Sequence, residues 1–229
     1  MPGWLIRCAA DVPAGDAWLS ARERRTGAGL RVRRRRRDWR LGRFAAKAAV
    51  GSWLSVAPER VEILPAPDGA PEAWVDGERA PVSVSLSHRA GRALAVVAHA
   101  PAVVGCDLER VEPRSGAFVR EWLAPAEHGL LAAHGEADRA RLTNLVWTAK
   151  EAAAKVRHAG LRLDVRRAVV APAGAGAKDG TWRALRVQWD DGCAPTEGWW
   201  RAEPGWVMTI AGDPAPPRPI DAPRAPAGG

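Results

Sequence analysis

WTAKEAAAK, from Trp147 to Lys155, is the sequence around which the chain is organised. In and around it, apolar residues recur every three or four positions, which predicts an amphipathic helix with one buried stripe. The stripe consists of Leu142, Leu145, Val146, Ala149, Ala152, Ala153 and Val156. Trp147, Glu151 and Lys155 are four residues apart and therefore lie along one edge of that stripe. At this border between core and solvent, Glu151 and Lys155 are either a surface ion pair or part of a site.

Lysine is rare in this chain, which has four lysines and thirty arginines. Two of the four, Lys150 and Lys155, lie in the predicted helix. Because arginine supplies the positive charge almost everywhere else, a lysine beside Glu151 indicates a specific role. Lys150 points about 100° away from Glu151 around the helix, and we interpret it as a solvated neighbour.

A second stretch, GCDLE from Gly105 to Glu109, lies in a predicted strand over 103–111. Side chains alternate along a strand, so Asp107 and Glu109 share one face and Cys106 points to the other, towards the core. Two neighbouring carboxylates repel each other unless a cation lies between them. Magnesium takes one or two carboxylates together with waters and substrate phosphates. The stretch is either a cation site or an exposed polar strand face.

A β-hairpin is predicted upstream. Val82 to His88 alternates between apolar and polar residues, with Val82, Val84 and Leu86 inward and the serines outward. Ala93 to Ala98 is fully apolar, and the turn lies at Gly91-Arg92. The first strand ends at Ser87 and His88.

The segment from Ala21 to Arg40 is dominated by arginine, with a continuous run at Arg33–Arg37. Such a run is a solvated helical face or a mobile basic segment, or else a phosphate-binding wall or nucleic-acid patch. Leu41 to Leu54 then predicts an amphipathic helix, with Arg43 and Lys47 on its polar side.

The fold class predicted is α+β: each half of the chain is expected to have one long helix and a few antiparallel strands, which would suit two similar small domains. We expect a basic N-terminal half at 1–102, a C-terminal half at 103–211 and a disordered proline-rich tail at 212–229. Gly160 is expected to end the WTAKEAAAK helix. The strands expected after it are Val165–Ala171, Trp182–Trp189, Trp199–Ala202 and Trp206–Ile210.

Bulk composition narrows the function classes. Hydrophobic residues make up 47% of the 229 positions, which is ordinary for a globular protein, and the net charge of +8 favours an anionic partner. Three widely spaced cysteines give neither a disulfide framework nor a zinc signature. No apolar signal region or membrane-spanning run is present in the sequence, so we expect a cytoplasmic protein without a membrane partner.

The candidate chemistry follows from the two stretches taken together. The chain has no Walker loop, no HExxH and no GxSxG elbow. Three carboxylates on two elements, a lysine one turn from one of them, and upstream basic residues suit metal-assisted transfer of a phosphoryl-type group. A carboxylate would remove a proton from the attacking hydroxyl, and a cation would stabilise the developing charge.

The two stretches resemble the paired signature motifs of the 4′-phosphopantetheinyl transferases. The chain length and the Ser87-His88 strand end are similar to the Sfp-type branch, and the resemblance is good from Val82 to Val170. Supporting matches are Leu123-Ala124-Pro125-Ala126-Glu127 and Gly160-Leu161. The resemblance implies a pseudo-dimer of two similar α+β halves, each a long helix packed on a small antiparallel sheet, with coenzyme A between them. It also implies magnesium-dependent transfer of the 4′-phosphopantetheine arm to a serine of an apo acyl or peptidyl carrier protein, with release of 3′,5′-ADP. A monomer is expected.

Site residues carry over by position in the motifs. The resemblance implies that Asp107, Glu109 and Glu151 ligate magnesium. Catalysis is assigned to Glu151, as base, with Lys155 and Asp107. The coenzyme A contacts it implies are Arg43, Lys47, Arg79, Ser87, His88 and Lys155.

This chain departs from the family pattern in two places. Cys106 replaces a branched aliphatic residue, and Gly77-Glu78-Arg79-Ala80-Pro81 stands where the family has Gly-x-Lys-Pro. Arg79 therefore takes the place of the lysine, with one residue inserted. Fatty acid, polyketide and nonribosomal peptide carriers all fit the implied activity.

Two alternatives remain open. The arginine run is also compatible with a basic nucleic-acid-binding protein, although only Trp39 lies among those arginines and few aromatics are therefore available for stacking. The same carboxylates could also serve another metal-dependent phosphotransferase or a nuclease.

Overall fold

A computed structural model describes residues 1–158, 164–174 and 180–221. The helices within these ranges are α1 (Ala21–Ala28), α2 (Arg33–Leu54), α3 (Gly116–Trp122), α4 (Pro125–Ala132) and α5 (Glu136–Val156). The first seven strands are β1 (Gly3–Cys8), β2 (Val61–Pro65), β3 (Pro71–Val75), β4 (Glu78–Arg79), β5 (Val82–Arg89), β6 (Arg92–His99) and β7 (Val103–Arg110). The last five are β8 (Ala168–Pro172), β9 (Arg183–Trp189), β10 (Thr196–Glu203), β11 (Trp206–Asp213) and β12 (Ile220–Asp221). The predicted helix stop at Gly160 and the tail residues 222–229 lie outside the described ranges.

The chain divides into two compact units. The first contains Met1–Val104 and 219–221, and the second contains Gly105–Arg218. No helix in the described part of the chain is both long and apolar enough to span a bilayer.

In the first unit, α2 packs on a sheet with strand order β12-β1-β6-β5, and a smaller sheet has the order β2-β3-β4. The predicted hairpin is confirmed as β5 and β6. Its turn lies at Ala90 and Gly91, one residue earlier than the predicted Gly91-Arg92, and the φ angles of 45° and 80° lie in the left-handed region that suits a tight hairpin. Ser85 is buried rather than outward-facing, so the second face of β5 is also partly covered.

The long helix α2 begins earlier than predicted, inside the arginine run at Arg33. Its first turn has no acidic residue, so the arginines oppose the helix dipole there. Asp38 and Asp16 offset part of that charge: Asp38 lies 3.8 Å from Arg34, and Asp16 lies 2.8 Å from Arg36. Residues 33–37 therefore form an exposed basic face at the start of α2.

The prediction of a disordered tail is wrong for the strand residues after 211. Residues 212–213 complete β11, and Ile220 and Asp221 form β12, which pairs in parallel with β1 at Gly3 and Trp4. The outer edge of β1 offers unpaired backbone groups, and the returning chain satisfies some of them: Ile220 N donates to Pro2 O at 3.1 Å.

In the second unit, α5 packs on a five-stranded sheet with the order β7-β11-β10-β9-β8. The four predicted C-terminal strands are confirmed as β8 to β11, and their determined pairings are antiparallel. The predicted stripe of α5 forms the core with that sheet: Leu142, Leu145, Val146, Ala149 and Ala153 are all fully buried.

The two units repeat one order of elements. Each has a strand, a short helix, a long helix, a 3₁₀ turn, and then strands that form hairpins. The strand order β1-β6-β5 in the first unit matches β7-β11-β10 in the second. One long helix on antiparallel strands is therefore present in each half, as predicted. The unpredicted differences are that the first unit divides its strands between two sheets, and that α3 has no counterpart there.

Candidate active site

The site in the second unit depends on a close approach of β7 to α5. A Cβ atom at Gly105 would overlap the carbonyl oxygen of Ala152 and would lie 3.0 Å from the Val156 nitrogen. Glycine is therefore needed at this position because only a residue without a side chain lets the strand backbone lie so near the helix. The approach brings Asp107, two residues further along β7, beside the last turns of α5.

Lys155 and Asp107 are in direct contact. Lys155 Nζ donates to Asp107 Oδ1 at 3.0 Å and to the carbonyl oxygen of Cys106 at 2.7 Å. Asp107 is buried, and the Lys155 side chain is 34% exposed. Burial alone would lower the pKa of Lys155, but attraction to Asp107, with smaller contributions from Cys106 and Glu151, leaves that pKa raised. Lys155 is thus held in its charged form.

Glu151 lies one turn before Lys155 and is half-buried. Burial, and then the negative charge of Asp107, raise the pKa of Glu151; Lys155 acts in the opposite direction, and Glu109 adds a smaller upward effect. The three carboxylates therefore share one electrostatic neighbourhood. Such mutual repulsion is what a bound cation would relieve.

Glu109 is held by an arginine that sequence reasoning missed. Arg114 Nη2 donates to Glu109 Oε2 at 2.9 Å, and Arg114 Nε donates to Asn144 Oδ1 at 2.7 Å. The guanidinium also lies 5.0 Å from the centroid of the Phe118 ring. Nothing in the local sequence signals this role, because Asn144 is thirty residues away and the α5 pattern does not distinguish it from other polar residues.

The donor chemistry of these carboxylates fits a hard divalent cation, since magnesium binds carboxylate oxygens and completes its shell with waters and phosphates. In the described ranges, however, no group of three or more His, Cys, Asp or Glu side chains is close enough together to hold a metal ion. Asp107 is instead paired with Lys155, and Glu109 with Arg114. The three-ligand set of Asp107, Glu109 and Glu151 therefore stays a prediction.

Lys150 is not the solvated neighbour that the sequence suggested. It is fully buried; its Nζ lies 2.7 Å from Glu127 Oε2 and donates to the carbonyl oxygen of Trp122 at 3.0 Å. Glu127 also accepts hydrogen bonds from the backbone nitrogens of Ala124 and Val170, at 2.7 and 2.8 Å. Burial lowers the pKa of Lys150, and Glu127 opposes that shift. The pair ties α4, α5 and β8 together.

Lys47, predicted on the polar side of its helix as a coenzyme A contact, is also buried. Its Nζ donates to Glu23 Oε2 at 2.9 Å. Glu23 accepts two backbone hydrogen bonds as well, from Ser20 N at 2.9 Å and Ile63 N at 3.0 Å. The prediction of a polar-side position was wrong because a buried carboxylate, invisible in the helical pattern, compensates the charge.

A cavity of about 250 Å³ in the first unit brings two predicted residues together. It is lined by Leu30, Arg35, Asp38, Trp39, Arg43, Leu86 and His88. Burial lowers the pKa of Arg43, while the charge of Glu23 opposes the shift. Arg35 is the arginine of the run that faces this cavity, which the sequence alone did not identify.

Two further predicted contacts, Ser87 and Arg79, do not line the cavity. Ser87 precedes His88 on β5 and is partly exposed. Arg79 is 68% exposed and lies 2.6 Å from Glu72. Arg43 and His88 thus line the same cavity, whereas Arg79 lies on β4, outside that lining.

Comparison with known proteins found a protein family to which the second unit is similar. Residues 103–210 match the family model described as "ACPS: 4'-phosphopantetheinyl transferase superfamily". That range contains Asp107, Glu109, Glu151 and Lys155. The second unit is therefore similar to the 4′-phosphopantetheinyl transferases.

Among solved structures, the chain is similar to Helicobacter pylori holo-[acyl-carrier-protein] synthase (AcpS) in complex with coenzyme A. The two sequences are 22% identical, the match covers 44% of this chain and 100% of that one, and the TM-score is 0.35. No curated protein matches the chain.

Proposed function

We propose that this protein is a 4′-phosphopantetheinyl transferase of the Sfp-type branch. It would move the phosphopantetheine arm of coenzyme A to a serine of an apo acyl or peptidyl carrier protein. The observation that carries the proposal is the contact of Lys155 with Asp107 beside Glu151, inside the region that matches the superfamily model.

In this reaction the serine oxygen forms a bond to the β-phosphorus of coenzyme A, and the bond from that phosphorus to 3′,5′-ADP breaks. The serine proton passes to Glu151, directly or through a water. Without a bound cation, burial and Asp107 raise the pKa of Glu151, which favours acceptance of a proton by its ionised form.

Lys155 would contact the phosphates. An ammonium group has three donor hydrogens, and the described contacts of Lys155 use two of them, on Asp107 and Cys106 O. The third is left for a phosphate oxygen, where its charge stabilises the transferring group.

Asp107, Glu109 and Glu151 would hold magnesium, which when bound neutralises charge on the pyrophosphate.

In the first unit, Arg43 and His88 line one cavity and are the best-supported coenzyme A contacts, with Arg35 as an addition. Ser87 remains a proposed neighbour. We leave Lys47 out because Glu23 already binds it inside the core, and Arg79 because no observation links it to the cavity.

We further propose that the two halves are duplicates of one ancestral unit. Both repeat the same element order, and both place a buried lysine of the long helix on a glutamate that caps the preceding short helix. The carboxylates on β7 have no counterpart on β1, whose sequence is GWLIRC. Only the second half would therefore carry the metal site.

The proposal is tested by incubating the protein with a fluorescent coenzyme A analogue and a panel of apo carriers. We expect labelling of at least one carrier, dependent on magnesium and abolished by EDTA, with 3′,5′-ADP released. Release of nucleotides from nucleic acid instead would indicate the nuclease alternative.

Asp107→Asn and Glu151→Gln are expected to lower labelling by roughly 10²-fold or more while the protein stays folded by circular dichroism. Glu136→Gln is the matched control, since Glu136 is an exposed glutamate of the same helix. Full activity in both site variants, or no labelling of any carrier by the wild type, would refute the proposal.

A further inference from the structure

Arg43 lines the cavity of the first unit, and hydrogen bonding does not fix the inner edge of its guanidinium. The Nε atom is buried, and within the described residues it has no hydrogen-bond partner. Burial lowers the pKa of Arg43, which shows that the charged group is largely withdrawn from water. A polar edge that is buried without a partner is costly, so another contact must keep the side chain in this position.

Trp39 provides that contact. It lies four residues before Arg43 on α2, so the two side chains share one face of the helix. The guanidinium carbon of Arg43 lies 5.1 Å from the centroid of the Trp39 ring, which is within the range of a cation–π interaction. This attraction is stronger where water is excluded. Both residues line the cavity, so the ring supports a positive charge at the wall of the ligand space.

The ring of Trp39 is itself held by α1. A Cβ atom at Gly27 would lie 3.0 Å from Trp39 Cζ3 and 3.4 Å from Trp39 Cη2. Gly27 is buried, and its lack of a side chain lets the backbone of α1 approach the edge of the indole. Close packing of this kind limits the orientations of the ring. Arg43 therefore rests on a ring whose position is fixed before any ligand binds.

His88 is brought to the same cavity by a second close approach. A Cβ atom at Gly42 of α2 would lie 3.4 Å from His88 Cδ2 and 3.2 Å from Leu86 Cδ1. The end of β5 thus packs directly on the helix that carries Trp39 and Arg43. Rigid elements therefore hold both predicted contacts, Arg43 and His88, at the cavity wall.

We propose that Trp39 is a positioning residue that holds the guanidinium of Arg43 ready for a phosphate group of coenzyme A. The inference rests on the proposed function, because it takes this cavity as part of the coenzyme A site. Without the ring, the ligand itself would have to order Arg43, and ordering one long side chain weakens binding. Trp39 therefore acts on affinity through Arg43 and has no part in the chemical step.

The test measures the Kd of coenzyme A for the full-length protein by titration calorimetry, with no carrier protein present. Trp39→Leu is expected to raise the Kd roughly fivefold, which is within the range for the ordering of one side chain. Trp39→Phe keeps a flat aromatic face and should stay within about twofold of the wild type. Trp53→Leu is the matched control, because Trp53 is a half-buried tryptophan of α2 outside the cavity lining, and it should leave the Kd unchanged.

Three further measurements separate positioning from other roles. In the Arg43→Ala background, Trp39→Leu should have no further effect on the Kd, because the two substitutions remove the same interaction. Gly27→Ala crowds the ring without removing it and should also raise the Kd, by a smaller factor. In carrier labelling, Trp39→Leu should raise the KM for coenzyme A and leave kcat unchanged.

If Trp39 only packs α1 against α2, Trp39→Leu will lower the melting temperature and leave the Kd unchanged, which overturns the inference. An equal loss of affinity with and without Arg43 overturns it too, since Trp39 would then contact the ligand itself. A wild type that binds no coenzyme A has the same consequence.

Carrier labelling on the same samples tests the proposed transferase separately. Labelling by the wild type, together with an unchanged Kd in Trp39→Leu, removes only the role of Trp39. The expected rise in Kd, without labelling of any carrier by the wild type, removes the transferase and leaves the role of Trp39 in coenzyme A binding in place.

Discussion

Lys150 Nζ lies 2.7 Å from Glu127 Oε2, and both side chains are buried in the second unit. In the first unit, Lys47 and Glu23 form the same pair at 2.9 Å. Each glutamate also accepts one hydrogen bond at the start of a short helix and one from a strand backbone. One carboxylate in each unit therefore joins a short helix, a long helix and a strand.

Removing either lysine is expected to destabilise its unit strongly. Lys150→Met leaves the Glu127 carboxylate buried without a cation, and loss of one partner of such a pair costs about 3–5 kcal/mol. Lys47→Met should cost a similar amount, because Glu23 has three corresponding partners: Lys47 and the backbone nitrogens of Ser20 and Ile63. Chemical denaturation of each variant measures the free energy of unfolding.

Arg167→Met is the comparison for this prediction, because Arg167 and its partner Asp190 are both exposed, and loss of an exposed pair should cost only about 0–1 kcal/mol. In the second unit, Lys150→Met combined with Glu127→Gln should recover part of the loss, since no bare charge remains. An unfolding free energy of Lys150→Met within 1 kcal/mol of the wild type would contradict the interpretation.

A methyl group at Gly105 is expected to damage both stability and activity. Because the added Cβ would overlap the Ala152 carbonyl, β7 must move away from α5, and overpacking of this kind costs about 1–3 kcal/mol. The displacement separates Asp107 from Lys155, so the rate of carrier labelling should fall as well. Thermal unfolding and labelling, measured on the same preparation, report the two effects.

Gly129→Ala is the matched control, because Gly129 lies in α4 and nothing is within 4 Å of an added Cβ. Replacing a helical glycine in open space should raise stability by up to about 1 kcal/mol. Equal stability of the two alanine variants would show that β7 does not depend on a glycine at position 105.

Periodicity was sufficient to predict some of the regular elements. The apolar stripe of α5, the β5–β6 hairpin and the strands β8 to β11 all follow from patterns of burial that sequence expresses directly. The pairing of Lys155 with Asp107 was not predicted, because the motif resemblance assigned Lys155 to phosphate and Asp107 to magnesium.

Long-range compensation could not be predicted in the same way. Lys47 and Lys150 were predicted to face solvent because a helical pattern does not show which distant carboxylate will be buried with them. Arg114 was missed for the same reason, since its partner Asn144 is on another element. The pairing of β12 with β1 likewise depends on where the chain returns and not on local composition.

Glu151 is expected to make stability depend on pH in a defined direction. Its pKa is raised in the folded state, first by burial and then by Asp107, so the folded protein binds this proton more tightly than the unfolded chain. The contribution is complete below the unfolded pKa and is lost as the pH rises through the folded pKa. Relative to Glu151→Gln, the wild type should therefore lose stability between acidic and neutral pH.

The measurement is the free energy of unfolding of both proteins across that pH range, in EDTA so that no cation relieves the repulsion. Glu136→Gln should show no such divergence from the wild type, because Glu136 is exposed. A wild type that gains stability relative to Glu151→Gln as the pH rises would contradict the assigned environment of Glu151.

Arg43 is expected to contribute to coenzyme A binding and not to the chemical step. It lines the same cavity as His88, and a buried guanidinium that binds phosphate in both ground and transition states changes KM without changing kcat. Arg43→Ala should raise the KM for coenzyme A roughly tenfold, since a charge-assisted hydrogen bond contributes about 1.5–3 kcal/mol. Arg34→Ala, an exposed arginine of the same helix outside the cavity lining, should leave KM unchanged. Equal KM values for the two alanine variants, or a loss confined to kcat, would remove the cavity from the coenzyme A site.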